Sequence, residues 1–207
     1  MRAWLEKLRF FFQRIVAGRY AQSDYRRSDT LFVRFVRSTR NRMDRCYDAR
    51  VMRVTRVTQH INAPREMIYR ALVDPHAIAV WKVPVGMTCH VHAFDARVGG
   101  EFRISLTYDA PTGGGKTTAH TDTYHGRFVE LVPNKRVVEI DEFETEDPAL
   151  CGEMKITIEL VDKAGGTEVV GVHEGLPPGV SAVDNELGWR MALEKLASFV
   201  TTSQRAV

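Results

Sequence analysis

From about residue 50 onward the apolar positions follow two rhythms, and the places where one gives way to the other outline a fold. Residues 51–61 alternate around Val and Thr and predict a strand. Asn62-Ala63-Pro64 then sets a proline where a helix opens, and Met67, Ile68, Ala71 and Leu72 give that short helix one apolar face. Asp74-Pro75 opens a second short helix, with Asp as cap and Pro in the first turn. It carries Ile78 and Trp81 and must end near Pro84. Strand rhythm follows over 88–94, turns at Gly99-Gly100, and resumes over 101–108, where Phe102, Ile104, Leu106 and Tyr108 share a face. A long polar-aromatic strand is predicted over 117–131, bent at Gly126. Pro133-Asn134 turns the chain into a strand over 136–143. Met154, Ile156, Ile158 and Leu160 mark the next, and Gly165-Gly166 turns into the last, 167–174. Ser181 to Asp184 has the shape of a capping box with Asp in place of Glu. A long helix follows to about residue 201, with Leu187, Met191, Leu193, Leu196, Phe199 and Val200 on its apolar side.

The order β-α-α-β-β-β-β-β-β-α, with short connections between the later strands, predicts an α+β domain over 51–203. Its core is a curved antiparallel β-sheet wrapped around one long C-terminal helix, with two short helices after the first strand. Such a sheet and a single helix leave space between them, and a ligand would occupy that space.

Charge adds a second region. Residues 1–57 hold 15 Lys+Arg against 5 Asp+Glu, whereas residues 58–207 hold 14 against 21. A basic extension, 1–50, therefore precedes an acidic domain. Within it Trp4, Leu5, Leu8, Phe11, Phe12, Ile15 and Val16 form one stripe of a basic amphipathic helix over about 3–17. A helix of that kind either lies on an anionic membrane surface or docks on its own domain. The Arg-rich remainder has no period, so an unstructured arm, or a true start at Met43 or Met52, is a competing reading. Without stacking motifs on a defined fold, the basic arm gives no expectation of nucleic acid. Cys46, Cys89 and Cys151 form no pairable set, which argues against a disulfide scaffold or structural zinc and for a reducing, cytoplasmic setting. No apolar run approaches the ~20 residues that span a bilayer.

Several short pieces then take on meaning through their order: Ala63-Pro64, Asp74-Pro75, Trp81-x-x-Pro84, Gly99-Gly100-x-Phe102-Arg103, Gly126-x-Phe128-x-Glu130, Pro133 with Arg136, Thr167-Glu168-Val169, His173-x-Gly175 and Gly188-Trp189. Together, over residues 52–202, they resemble the START-like, birch-pollen-allergen-like superfamily (SRPBCC) with its helix-grip fold. Within it they resemble the family named for the activator of heat-shock protein 90 ATPase, homologue-like C-terminal domain. The resemblance implies a helix-grip domain and the binding of lipids, polyketides or other apolar small molecules. Some relatives are cyclases or hydrolases, but the superfamily shares no fixed catalytic motif. The basic arm does not resemble the chaperone-docking domain of the co-chaperone, so that activity is not carried over. Fold by itself does not give function.

Candidate chemistry narrows the choice. Gly113-Gly114-Gly115-Lys116-Thr117 imitates a phosphate loop, but Ala110 stands where the first glycine belongs and a strand is predicted where a helix is needed. His90-x-His92 and His120-x-Asp122-x-x-His125 are two separate pairs rather than one convergent set, so no metal and no cofactor is expected. His120, Asp122 and Tyr124 share a strand face. His173 shares one with Val169 and Gly171, which would place it under the helix. Three readings of His173 stay open: a core imidazole bonded to the backbone, a ligand contact, or a general base. Trp81 and Trp189 read as helix anchors or pocket walls. The acidic run 139–147 reads as a solvated strand edge and loop, and Cys89 as a buried thiol.

The leading function is a small apolar-ligand binding protein, the ligand an apolar or aromatic molecule held between sheet and helix. Trp81, Cys89, Phe102, Ile104, Tyr108, His120, Tyr124, Phe143, Ile156 and His173 would line the site. The alternatives are a cyclase- or hydrolase-like enzyme with His120 or His173 as base, and a co-chaperone-like module that binds a protein partner. Cavity volume separates the first two from the third, with ~300 Å³ as the lower bound for a ligand pocket.

Overall fold

The computed structural model of the chain describes residues 53–110 and 115–204. They lie in one of the two units into which the chain divides, Cys46–Val207. The expected helix over 3–17 and the rest of the basic extension lie outside the described residues.

Among the described residues ten elements appear in the expected order: β1 (Val54–Ile61), α1 (Arg65–Leu72), α2 (Pro75–Trp81), β2 (Met87–Phe94), β3 (Glu101–Tyr108), β4 (Thr121–Val132), β5 (Arg136–Phe143), β6 (Met154–Lys163), β7 (Gly166–Glu174) and α3 (Ala182–Gln204). The strands form one sheet in the order β1-β7-β6-β5-β4-β3-β2, and every neighbouring pair is antiparallel. The edge strands β1 and β2 are consecutive in the chain, so α1 and α2 carry it from one edge of the sheet to the other. The curved sheet and its long C-terminal helix make the α+β helix-grip fold. Local chemistry sets the helix starts. Asp74 Oδ1 accepts the His76 amide hydrogen at 2.9 Å with Pro75 in the first turn, and Ser181 Oγ accepts that of Asp184 at 3.3 Å.

Alternation puts one face of each strand into the core. Ile61, Val169, Ile158, Val137, Phe128 and Ile104 are all almost inaccessible, and they meet Ile68, Trp81, Leu193, Leu196 and Val200 from the helices. Leu187, expected on the apolar side of α3, is instead 36% exposed. The buried stripe holds to the later turns of that helix.

Strand β4 departs from expectation twice. It begins at Thr121, not 117, because the Thr117 hydroxyl donates to the Thr121 carbonyl at 2.7 Å and accepts the Thr123 amide hydrogen at 3.0 Å. Such side-chain bonds offer the backbone an alternative to the ladder. The irregularity in β4 also falls at Val129, where Phe128 opposes Glu139 and Glu130 opposes Val138, not at Gly126. Gly126 has a different purpose: a Cβ there would stand 2.5 Å from the Phe102 ring, so its bareness lets that ring pack across the strand.

Candidate functional site

Five of the ten expected site residues lie buried in one contiguous core: Trp81, Phe102, Ile104, Tyr124 and Ile156. Trp81 is wholly enclosed, and its indole N–H donates to the Ala71 carbonyl at 2.9 Å, so it fastens α2 to α1. Cross-strand pairing sets Ile104 beside Tyr124 and Tyr124 beside Phe143. The rings of Phe102, Tyr124 and Phe143 follow edge to face at 6.4 and 6.5 Å. Cys89, Tyr108 and Phe143 are half-buried where this floor runs out toward β2. His120 does not belong to the set. It sits in the turn before β4, exposed, because the Thr117 bonds end the strand before its side chain can alternate inward.

Three charged residues occupy the same interior, and the sequence reading passed them over. Glu139 and Asp141 are not part of a solvated edge. They follow Val137 at strand spacing on the inner face of β5 and are 5% and 3% exposed. Lys82, just past α2, donates its ammonium to Glu139 Oε1 and stands 3.8 Å from Asp141 Oδ2. The same ammonium lies 5.8 Å from the centres of the Phe102 and Tyr124 rings. Burial alone would push the Lys82 ammonium down, but the field of Glu139, Tyr124 and Asp141 holds it above its ordinary value. Burial and the Glu139 charge push the Asp141 carboxyl well up, against the pull of Lys82. Burial likewise raises the Tyr124 hydroxyl. Asp141 Oδ1 is enclosed and has no hydrogen-bond partner. The available signal was spacing: acids at 139 and 141 between apolar 137 and 143, and one lysine set between Trp81 and Val83.

A second polar pair stands nearer the rim. The Lys116 ammonium binds Asp122 Oδ2 and lies 5.4 Å from the Phe143 ring. Burial and the Asp122 carboxylate push the Tyr108 hydroxyl up to about 12. Lys116, the lysine of the apparent phosphate loop, thus serves a carboxylate and precedes a strand.

His173 lies under α3 as its spacing predicts, 5% exposed. Its partner is a side chain, not the backbone: Asn185 Nδ2 reaches Nδ1 at 3.3 Å and Thr55 Oγ1 at 2.7 Å. The Trp189 ring meets the imidazole edge to face at 4.5 Å. Gly171 makes room for this, since a Cβ there would touch that ring at 3.4 Å. Burial, then the Lys82 charge, pull the imidazole down to about 3, against the Asn185 bond. So weak a base takes up a proton poorly near neutrality. Nε2 is enclosed and unpartnered.

The model of the family described as Activator of Hsp90 ATPase homolog 1-like protein matches residues 62–201. The chain belongs to this family. Among solved structures, a Chromobacterium violaceum protein shares 35% identity and a TM-score of 0.64, covering 71% of this chain and 96% of its own. An AHSA1-like protein from Aeromonas hydrophila shares 17% identity and a TM-score of 0.56, covering 73% and 94%. A Rhodobacter sphaeroides protein shares 21% identity and a TM-score of 0.57, covering 72% and 93%. The latter two show the fold alone. No curated protein matches the chain.

Two grooves stand out in this Activator of Hsp90 ATPase homolog 1-like domain, and α3 lines neither. One, about 500 Å³, crosses β3, β4 and β5 among Arg103, His125, Arg127, Glu142 and Glu144. The other, about 610 Å³, lies among Arg65, Arg136, Glu159 and Asp162. In the first, Arg103 clasps Glu144 through two bonds of 2.7 and 2.8 Å. His90 and His92 meet edge to face with ring centres 4.4 Å apart, and among the described residues no three His, Cys, Asp or Glu side chains converge as a metal site. No described helix is long and apolar enough to cross a membrane.

Proposed function

We propose that the domain holds a small, mainly apolar molecule against the inner face of the sheet beneath α3. The carrying observation is the composition of that interior: an aromatic floor with two buried polar atoms, Asp141 Oδ1 and His173 Nε2, that no protein group satisfies. Buried polar groups are nearly always bonded, and an unmet one costs about 1–3 kcal/mol, so a ligand that completes them offsets that cost. The free thiol of Cys89 suits a reducing, cytoplasmic setting. The enzyme reading loses its bases, since His120 is outside and His173 is too weakly basic. A protein-interaction module is the second reading, favoured by two grooves that α3 does not line.

The test is titration with N-phenyl-1-naphthylamine, whose emission rises in apolar surroundings. Cys89 is half-buried at the end of the inner face, so Cys89→Trp adds bulk there without replacing a fully buried core residue. Wild type is expected to bind the dye and folded Cys89→Trp to bind at least about tenfold more weakly, the loss of about 1.4 kcal/mol. Equal binding by both, or none by the wild type, removes the reading.

A further inference from the structure

The hydrogen on one of the two unmet groups, His173, narrows the ligand further. Asn185 Nδ2 is a donor, and its two hydrogens go to Thr55 Oγ1 at 2.7 Å and His173 Nδ1 at 3.3 Å. Nδ1 therefore accepts, and in a neutral imidazole the ring hydrogen must sit on Nε2. Nε2–H is an enclosed donor with nothing to donate to. Among the described residues that touch or bias the imidazole, none offers a free charge to an ion: Lys82 is taken by Glu139 and Asp141, and Thr55, Asn185 and Trp189 are neutral. The register places His173 opposite Ile156, and Ile156 opposite Glu139, so apolar surface separates the imidazole from the ion pair.

We propose that His173 Nε2–H is the anchor of the site, and that the ligand is an uncharged apolar molecule bearing a carbonyl oxygen. This rests on the reading of the interior as a ligand site. A carbonyl satisfies the donor and brings no hydrogen that would itself need a partner. A carboxylate or ammonium would enter desolvated with no free counter-charge. An alkyl group would leave Nε2–H unmet, the state that costs most.

The experiment compares two dyes of one shape, 6-propionyl- and 6-propyl-2-(dimethylamino)naphthalene, on the full chain. The propionyl dye is expected to bind about tenfold more tightly than the propyl dye, a preference of the size one buried donor confers. In His173→Phe, which keeps a ring against Trp189, that preference should fall to about twofold or less. Should the variant not fold, the wild type still decides. In a long-range proton–nitrogen spectrum of its imidazoles, His173 should carry its hydrogen on Nε2, and the propionyl dye alone should shift that signal. Tight binding of both dyes with no preference, or a His173 hydrogen found on Nδ1, overturns the carbonyl anchor and leaves the ligand site standing. Failure of both dyes to bind overturns both.

Discussion

Replacing Lys82 by Met should be among the most damaging single changes in this domain, and its cost should depend on pH. The side chains of Lys82, Glu139 and Asp141 are 13%, 6% and 4% exposed, so water screens the cluster little. Removing one partner of a buried ion pair costs about 3–5 kcal/mol, because the other charge stays behind uncompensated. A second route gives the same size. Without the ammonium, the buried carboxyl left behind must be kept neutral, at about 1.4 kcal/mol for each pH unit above an ordinary carboxyl value of about 4. That is about 4 kcal/mol at pH 7 and about 1 kcal/mol at pH 5. The sign is that of an acid whose folded pKa is raised: stability present at low pH is lost as pH rises. Urea unfolding followed by tryptophan fluorescence at pH 5 and pH 7 reads both numbers. Adding Glu139→Gln should recover more than half of the loss, since the stranded charge is gone. A loss below about 1 kcal/mol at pH 7, or equal losses at both pH values, would mean that water reaches the carboxylates and that the interior is not dry.

Two further outcomes check the frame around the cluster. Leu196→Ala, at a wholly buried site on α3, should cost about 2–5 kcal/mol, while Leu187→Ala on the same helix should change stability by less than about 0.5 kcal/mol; equal costs would mean the helix is rotated. His173 gives the opposite pH sign to an acid with a raised pKa. Its imidazole falls from about 6.5 unfolded to about 3 folded, so its contribution is present above pH 6.5 and lost as pH falls, by about 2 kcal/mol at pH 5. His173→Phe should remove that part of the acid slope in a pH series of urea unfolding curves, and an unchanged slope would show that the imidazole is not buried neutral.

Period-two alternation made the strands legible. In β6, Met154, Ile156, Ile158 and Leu160 alternate with polar residues and are buried as the pattern requires. The caps were legible because Asp-Pro and Ser-x-x-Asp act locally. The failures came where one local preference competes with another. Thr117 bonds its own neighbourhood and ends β4 early, which moved His120 out of the site. The acids of β5 misled for another reason. Glu139 and Asp141 belong to the inner face by spacing, but carboxylates are almost never fully buried unless paired, and the pairing lysine is 57 residues away. Hydropathy sees one residue at a time, whereas the burial of these acids depends on a contact that exists only after α2 packs on the sheet.

That pairing bears on function through its energetics. A buried lysine and two carboxylates are a poor way to stabilise a core, since apolar residues of the same volume in their place are often neutral or favourable. This domain nevertheless holds the trio from two separate elements, the end of α2 and β5, on a bed of aromatic rings. It also keeps an imidazole neutral under α3 through a dedicated asparagine. The two unmet atoms, Asp141 Oδ1 and His173 Nε2, sit on strands that flank β6, which is apolar between them at Met154 and Ile156. A core selected for stability alone would have filled both positions with aliphatic side chains. The polar atoms at the sides and the apolar surface in the middle are what the proposed ligand, apolar along its length and polar at a fixed point, would require.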